Sequence, residues 1–158
     1  LRNSAPVQTP PGGGCPGSRS RVLMHEDVTA APAGAISSQL RQWPVQLKLA
    51  PRCAPYFDGA NLLIAADCSA FAYGNFHQEF MRGKVTLIGC PKLDGADYSE
   101  KLTEILRQNL IKSLTVVRME VPCCGGIEQA AVTALKNSGK FLPWQVVTLS
   151  TDGRVLES

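Results

Sequence analysis

Short apolar runs alternate with segments of helical periodicity from residue 43 onward, and this alternation constrains the fold more than any other feature. The runs are rich in Val, Ile and Leu and have the length of buried strands. They are Trp43–Ala50, Leu62–Ala66, Val85–Gly89, Leu114–Val121 and Val146–Leu149. Strands that alternate with helices form βαβ units. We therefore predict a doubly wound α/β fold, with a mostly parallel sheet of about five strands and helices on both faces.

Three segments between these runs are predicted to be helical. Two of them have apolar residues at the spacing of one helix face, namely Leu102, Ile105, Leu106 and Leu110, then Ile127, Ala130, Ala131, Ala134 and Leu135. Asp97 and Glu100 form a capping-box start for the first of these, and Gly139 would end the second in the left-handed conformation. The third helix is Ala70–Met81, where Gly74 costs about 1 kcal/mol relative to alanine.

Length and composition indicate one domain preceded by a linker. The chain has 158 residues, of which 44% are hydrophobic, enough to bury one core of ordinary size. Residues 1–20 are rich in proline and glycine and carry Cys15, so we interpret them as a linker. Residues 21–158 are predicted to form a single α/β domain. Because no initiator methionine is present, we expect the chain to be part of a longer protein.

Charge and hydropathy argue against two classes of partner. The net charge of +3 comes from 16 basic and 13 acidic residues spread along the chain, which does not indicate a nucleic-acid partner. No apolar stretch approaches the roughly 20 residues of a membrane helix, so no membrane partner is indicated. No secretory signal is present either. We therefore expect a cytoplasmic protein, whose cysteines serve metal binding or redox chemistry rather than a disulfide framework.

Cysteines follow three of the predicted strands. Cys68, Cys90 and the pair Cys123 and Cys124 stand at the carboxyl ends of the second, third and fourth runs. In an open α/β sheet, the carboxyl ends of parallel strands line the crevice that binds ligands. We therefore predict that these thiols meet at one edge of the sheet. Because adjacent residues of an extended chain face opposite ways, one cysteine of the pair should enter the crevice, and we favour Cys124.

Thiols gathered in this way predict a metal centre, and a tetrahedral thiolate site or an iron–sulfur cluster usually takes four ligands. Cys15, in the glycine-rich segment, is the predicted fourth ligand. Cys53 and His77 are weaker candidates, because Cys53 follows the first run and a lone histidine on a helix is usually structural or at the surface. Gly125 and Gly126 are predicted to bring backbone amides to the bound group.

Two other functions could use the same crevice. Structural zinc in place of a cluster would make the chain an interaction domain. An activated Cys68, Cys90 or Cys124 would make it an enzyme acting on a small molecule. No catalytic residue is assigned, because the chain lacks a Walker A motif, a dinucleotide fingerprint, a G-x-S-x-G elbow and a C-x-x-C pair. The pattern therefore favours electron transfer or metal binding over a stand-alone enzyme.

Five motifs resemble one family of proteins. They are Gly14-Cys15-Pro16-Gly17-Ser18-Arg19, Ser38-Gln39-Leu40-Arg41-Gln42-Trp43-Pro44-Val45-Gln46, Ala65-Ala66-Asp67-Cys68, Ile88-Gly89-Cys90-Pro91-Lys92-Leu93-Asp94 and Met119-Glu120-Val121-Pro122-Cys123-Cys124-Gly125-Gly126. With these motifs, nearly the whole chain resembles the carboxy-terminal domain of ferredoxin-type iron–sulfur cluster-binding proteins of anaerobic microbes.

The resemblance implies a ligand set and a partner. The cysteine-bearing motifs of that family fall on Cys15, Cys68, Cys90, Cys123 and Cys124. It also implies a 4Fe-4S cluster and electron exchange with an amino-terminal two-cluster ferredoxin module or another redox protein. This chain departs from the family pattern because it lacks the ferredoxin module.

Overall fold

The structure, a computed structural model, describes residues 15–25 and 34–158. Most of the predicted linker, residues 1–14, lies outside the described residues. Seven strands are assigned within the described residues. They are β1 (Arg21–Val22), β2 (Gln42–Trp43), β3 (Asn61–Ala66), β4 (Val85–Gly89), β5 (Ser113–Met119), β6 (Trp144–Leu149) and β7 (Val155–Glu157).

Five of these strands form the central sheet, in the order β4-β3-β5-β6-β7. The first four run parallel, with Leu62 of β3 beside Val85 on one side and Leu114 on the other. Strand β7 pairs antiparallel with β6 and closes one edge. Strands β1 and β2 form a separate antiparallel pair. The predicted five-stranded, mostly parallel sheet is thus confirmed.

Four α-helices connect the strands of the described region. They are α1 (Ser69–Ala72), α2 (Pro91–Asp94), α3 (Ser99–Gln108) and α4 (Gly125–Ser138). Short 3-10 turns cover Pro16–Ser18, Pro55–Phe57 and Pro122–Cys124, and a π-helical turn covers His77–Met81. Gly139 ends α4 with a φ of 68°, the left-handed stop that its position predicts.

The sheet has an apolar core on each face. On one face, Ile64 and Val116 of the sheet pack with Ile105 of α3 and Ile127 of α4. On the other face, the core residues of the sheet are Leu63, Ala65, Val117 and Met119, and they pack against Phe76 and Phe80. Right-handed crossovers explain this division, because the chain steps in one direction from β3 to β4 and in the other from β4 to β5 and β6. Helical segments therefore cover both faces.

Two predicted elements differ from the structure, and one strand was not predicted. The strand expected over Trp43–Ala50 is limited to Gln42–Trp43 and one bridge between Gln46 and Ile88, and the chain then turns. The helix expected over Ala70–Met81 is divided into α1 and the π-helical turn. Strand β7 lies beyond the last predicted run. Pro44 and Gly74 lie in the first two of these segments, and both residue types interrupt regular elements.

Candidate functional site

The strand order creates a switch point at the carboxyl edge of the sheet. After β3 the chain moves outward to β4, and it then crosses back over β3 to β5 on the other side. The connections that leave β3 and β5 therefore diverge to opposite faces. Open α/β sheets bind ligands in the crevice that such a divergence opens. The candidate site accordingly lies between the ends of β3 and β5.

Cysteines stand at the ends of three neighbouring strands around this point. Cys68 precedes α1 after β3, and Cys90 follows β4 directly. Cys123 and Cys124 lie in the 3-10 turn between β5 and α4. Because β4, β3 and β5 are adjacent and parallel, all four cysteines belong to one edge of the sheet. Their roles as metal ligands stay a prediction.

The loop after β4 packs against the start of α4. A Cβ on Gly126 would stand 3.2 Å from Cβ of Pro91, so glycine is what allows this approach. The Cys90 sulfur accepts a hydrogen bond from the Leu93 amide at 3.5 Å. The Gly125 amide donates to the carbonyl of Pro122, so it is already engaged in the turn. Cofactor binding by Gly125 and Gly126 remains a prediction, beside the packing role that the structure gives them.

The two adjacent cysteines have different surroundings. Cys123 is exposed, whereas Cys124 is 8% exposed and packs in the apolar cluster with Met119. Burial raises the pKa of the Cys124 thiol, although a hydrogen bond with the Met119 backbone and the charge of Arg118 act in the opposite direction. Exposure thus favours Cys123 as the cysteine that faces solvent at this edge, rather than Cys124.

Carboxylates lie beside the cysteines at the ends of β3 and β4. Asp67 accepts a hydrogen bond from the Gln46 amide at 3.4 Å. Burial raises the pKa of the Asp67 carboxyl, and the negative charge of Asp94 raises this pKa further. The hydrogen bond from Gln46 acts in the opposite direction. Tyr98 donates a hydrogen bond to Asp94. The pKa of Tyr98 is raised far above its usual value, first by burial and then by Asp94.

The remaining predicted ligands lie in other surroundings. Cys15 is exposed and begins a turn in which its carbonyl accepts from the Ser18 amide at 3.0 Å. Cys53 lies 4.0 Å from the carbonyl of Gln108, the last residue of α3, and therefore near the opposite, amino edge of the sheet. Nδ1 of His77 accepts a hydrogen bond from the Gln39 backbone amide at 3.0 Å, so the ring makes a structural contact. Within residues 15–25 and 34–158, no three His, Cys, Asp or Glu side chains lie close enough together to hold one metal ion.

Sequence reasoning missed two groups at this edge. The guanidinium of Arg118 pairs with Glu128 at 2.8 Å behind the Cys123 turn. Tyr98 fills the space over Gly89, next to Cys90. A charged residue near the end of an otherwise apolar strand was a signal for Arg118, because parallel strands are usually apolar throughout. No comparable signal marked Tyr98.

The helices of the described residues are all too short or too polar to cross a membrane.

Comparisons with known proteins agree with this architecture. Residues 54–158 match the family model described as a Rossmann-like domain. The chain is also 34% identical over 103 residues to an uncharacterized protein of Archaeoglobus fulgidus, covering 65% of this chain and 72% of that protein. No solved structure matches the chain. The family match covers more than half of the chain and agrees with its mostly parallel α/β sheet. This chain therefore belongs to the Rossmann-like domain family.

Proposed function

We propose that this Rossmann-like domain binds an iron–sulfur cluster at the carboxyl edge of its sheet and exchanges electrons with a ferredoxin module or another redox protein. One observation carries the proposal, which is that β4, β3 and β5 are neighbours and each is followed by cysteine. Cysteine thiolates are the usual ligands of iron–sulfur clusters. Cys68, Cys90 and Cys123 are the ligands that exposure favours, because none of the three is buried.

The spacing of the strands supports a cluster over a single zinc ion. Neighbouring strands lie about 4.8 Å apart, so the ends of three strands span about 10 Å. A zinc ion with Zn–S distances of about 2.3 Å needs its four sulfurs gathered around one point. The described residues contain no such compact group. A cluster carries its cysteines on separate iron atoms, so its ligands stand farther apart.

Backbone amides and the positive end of a helix dipole at this edge support the binding of an anionic group. The Leu93 amide already donates to the Cys90 sulfur at 3.5 Å, and hydrogen bonds to sulfur are one way in which a protein sets a cluster potential. The fourteen-residue helix α4 begins directly after Cys124, so the positive end of its dipole faces the strand ends. When bound, the cluster would supply a one-electron couple.

Exposure and chemistry support an external redox partner. Cys68 and Cys123 lie at the surface, so a group bound there would lie within reach of another protein. Cys15 begins the described amino-terminal segment and is the proposed fourth ligand, which a movement of that segment toward the carboxyl edge would bring in. Free thiol ligands also need a reducing compartment, so the proposal places the protein in the cytoplasm.

Anaerobic reconstitution with iron and sulfide tests the proposal. The wild-type protein should bind iron and sulfide in equal amounts and become brown. Cys68→Ser, Cys90→Ser and Cys123→Ser should each lower the bound iron at least twofold, and Cys53→Ser is the matched control because Cys53 lies near the opposite edge. Unchanged iron content in all three variants would contradict the proposal. A colourless protein that binds zinc instead, with the same dependence on these cysteines, would support the zinc-binding alternative.

A further inference from the structure

An ion pair lies directly behind the turn that carries Cys123 and Cys124. Nη1 of Arg118 donates to Oε2 of Glu128 at 2.8 Å. Arg118 belongs to β5 and Glu128 to the first turn of α4, so the pair joins the two elements on either side of the cysteine turn. The Arg118 side chain is 19% exposed and that of Glu128 is 38% exposed. Arg118 is largely covered and Glu128 is partly exposed, so solvent screens this pair in part.

The guanidinium makes further contacts with the residues on either side of this turn. Nε of Arg118 donates to the carbonyl of Met119 at 3.2 Å. Met119 and Cys124 belong to the same apolar cluster. A Cβ on Gly125 would stand 3.8 Å from Nη1 of Arg118, which places the guanidinium under the start of α4. One side chain therefore contacts the end of β5 before the turn and the start of α4 after it.

The charge of Arg118 lies beside the start of α4. Guanidinium stays protonated at any physiological pH. The amides at the start of α4 carry partial positive charge, which disfavours a cation unless an acidic group balances it. Glu128, in the first turn of α4, provides that balance. Strand interiors rarely hold arginine, so its position at the end of β5 requires a reason beyond packing.

We infer that Arg118, held by Glu128, is the positioning residue of the Cys123–Cys124 turn and supplies positive charge to the anionic group bound at the switch point. The charge role rests on the proposed function, whereas the positioning role concerns the protein without any bound group. Arginine is suited to both roles, because its planar fork bonds to the Met119 carbonyl and the Glu128 carboxylate together. Lysine would keep the charge and lose the fork.

Alkylation of the metal-free protein tests the positioning role. Iodoacetamide modification of each cysteine is followed by mass spectrometry in the wild type, Arg118→Met, Arg118→Lys and Glu128→Gln. Cys124 is buried in the wild type, so its modification rate reports opening of the turn. We expect that rate to rise at least fivefold in Arg118→Met and about twofold in Arg118→Lys and Glu128→Gln, while the far-UV circular dichroism of each variant stays that of the wild type. Arg52→Met is the control, because it removes an exposed ion pair elsewhere.

Selective change at Cys124 separates positioning from general instability. A variant that unfolds would lose its far-UV circular dichroism as well as the protection of Cys124, the one buried cysteine of the described residues. In that case Arg118→Lys, which keeps the charge and most of the volume, decides the matter. Wild-type rates at Cys124 in both Arg118 variants would overturn the positioning role. Selective opening in a protein that binds no iron would uphold this role and contradict only the proposed function.

The reduction potential of the reconstituted protein tests the charge role. Loss of a nearby positive charge disfavours the more negative, reduced state. Arg118→Met should therefore have a more negative midpoint potential than the wild type, and Arg118→Lys should stay close to it. A purely structural residue would not separate methionine from lysine in this way. Equal potentials in the two variants would overturn the charge role.

Discussion

The hydroxyl oxygen of Tyr98 lies 2.8 Å from the point where a Cβ on Gly89 would stand. Gly89 is the last residue of β4 and precedes Cys90. Tyr98 is buried against the end of this strand and donates to Asp94, the last residue of α2. The aromatic ring therefore occupies the volume of an absent side chain. Through this contact, the residue before α3 fixes the path by which the chain leaves β4 at Cys90.

Alanine at position 89 should destabilise the fold. The ring atom Cε2 of Tyr98 would lie 3.1 Å from the new Cβ, and a buried ring cannot turn aside freely. We expect Gly89→Ala to lower the free energy of unfolding by about 1–3 kcal/mol, the usual cost of overpacking. Urea unfolding at neutral pH measures it. Gly74→Ala is the matched control because no atom lies within 4 Å of its Cβ position, and equal stability of the two variants would contradict this explanation.

Gln42 should contribute stability from a buried position. Its side-chain amide is fully buried. The amide oxygen accepts a hydrogen bond from the Thr86 backbone N–H at 3.3 Å, and the amide nitrogen donates one to the Thr86 carbonyl. The side chain therefore takes the place of a neighbouring strand at the edge of β4. Gln42→Leu leaves both backbone groups of Thr86 without a partner. We expect a loss of about 1–3 kcal/mol in the free energy of unfolding. Thermal and urea unfolding should show no comparable loss for Gln39→Leu, whose amide is bonded at the surface.

Replacement by serine should affect the free energy of unfolding differently at the two adjacent cysteines. Cys124→Ser places a hydroxyl in an apolar cluster and should lower the free energy of unfolding of the metal-free protein by about 1–3 kcal/mol. Cys123→Ser changes an exposed side chain and should stay within about 0.5 kcal/mol. Chemical unfolding under reducing conditions measures both. The opposite order would show that Cys124 is the solvent-facing thiol and Cys123 the buried one.

Two aspartates should affect the acid stability of the metal-free protein with opposite sign. The Ser99 amide lowers the pKa of Asp97, so Asp97 contributes stability above its unfolded pKa that is lost as the pH falls through the folded value. Burial raises the pKa of Asp67, so its contribution is largest below the unfolded pKa and is lost as the pH rises through the folded value.

Both predictions are checked by measuring the free energy of unfolding between pH 3 and pH 7, a range that runs from near the ordinary aspartate pKa to well above it. Asp97→Asn should lose stability relative to the wild type at pH 7 and match it more closely at pH 3. Asp67→Asn should gain relative to the wild type as the pH rises over the same range. If both variants show the same sign of pH dependence, the local causes assigned to these pKa shifts are wrong.

Much of the fold was predictable from periodicity. The runs at Leu62, Val85 and Leu114 became neighbouring parallel strands, because buried strands of a parallel sheet are apolar on both faces and stand out in the sequence. The stripe from Ile127 to Leu135 became α4 and ended at Gly139. Most of Trp43–Ala50 did not become a strand, because the Gln42 side chain bonds to Thr86 in place of a backbone partner and the backbone pairs with β4 only around Ile88. A side chain that replaces a backbone partner in this way leaves no periodic signal in the sequence.

The candidate site was predictable in part. Cysteines that follow apolar runs predict a shared edge, since parallel strands all end on the same side of the sheet. The sequence could not distinguish Cys123 from Cys124, because the 3-10 turn at Pro122 breaks the two-residue alternation on which that choice depended. Whether these cysteines hold a cluster stays a prediction.

The sequence by itself determined the alternating α/β class, the strands that carry cysteine and the position where α4 stops, because these features follow from local periodicity and backbone preference. Only the tertiary structure decided that Arg118 joins Glu128 behind the cysteine turn, that Tyr98 fills the space over Gly89, and that Cys124 is buried while Cys123 is exposed. The reason is physical. Each of these relationships joins residues through packing that forms only when strands and helices assemble, and no spacing along the chain encodes it.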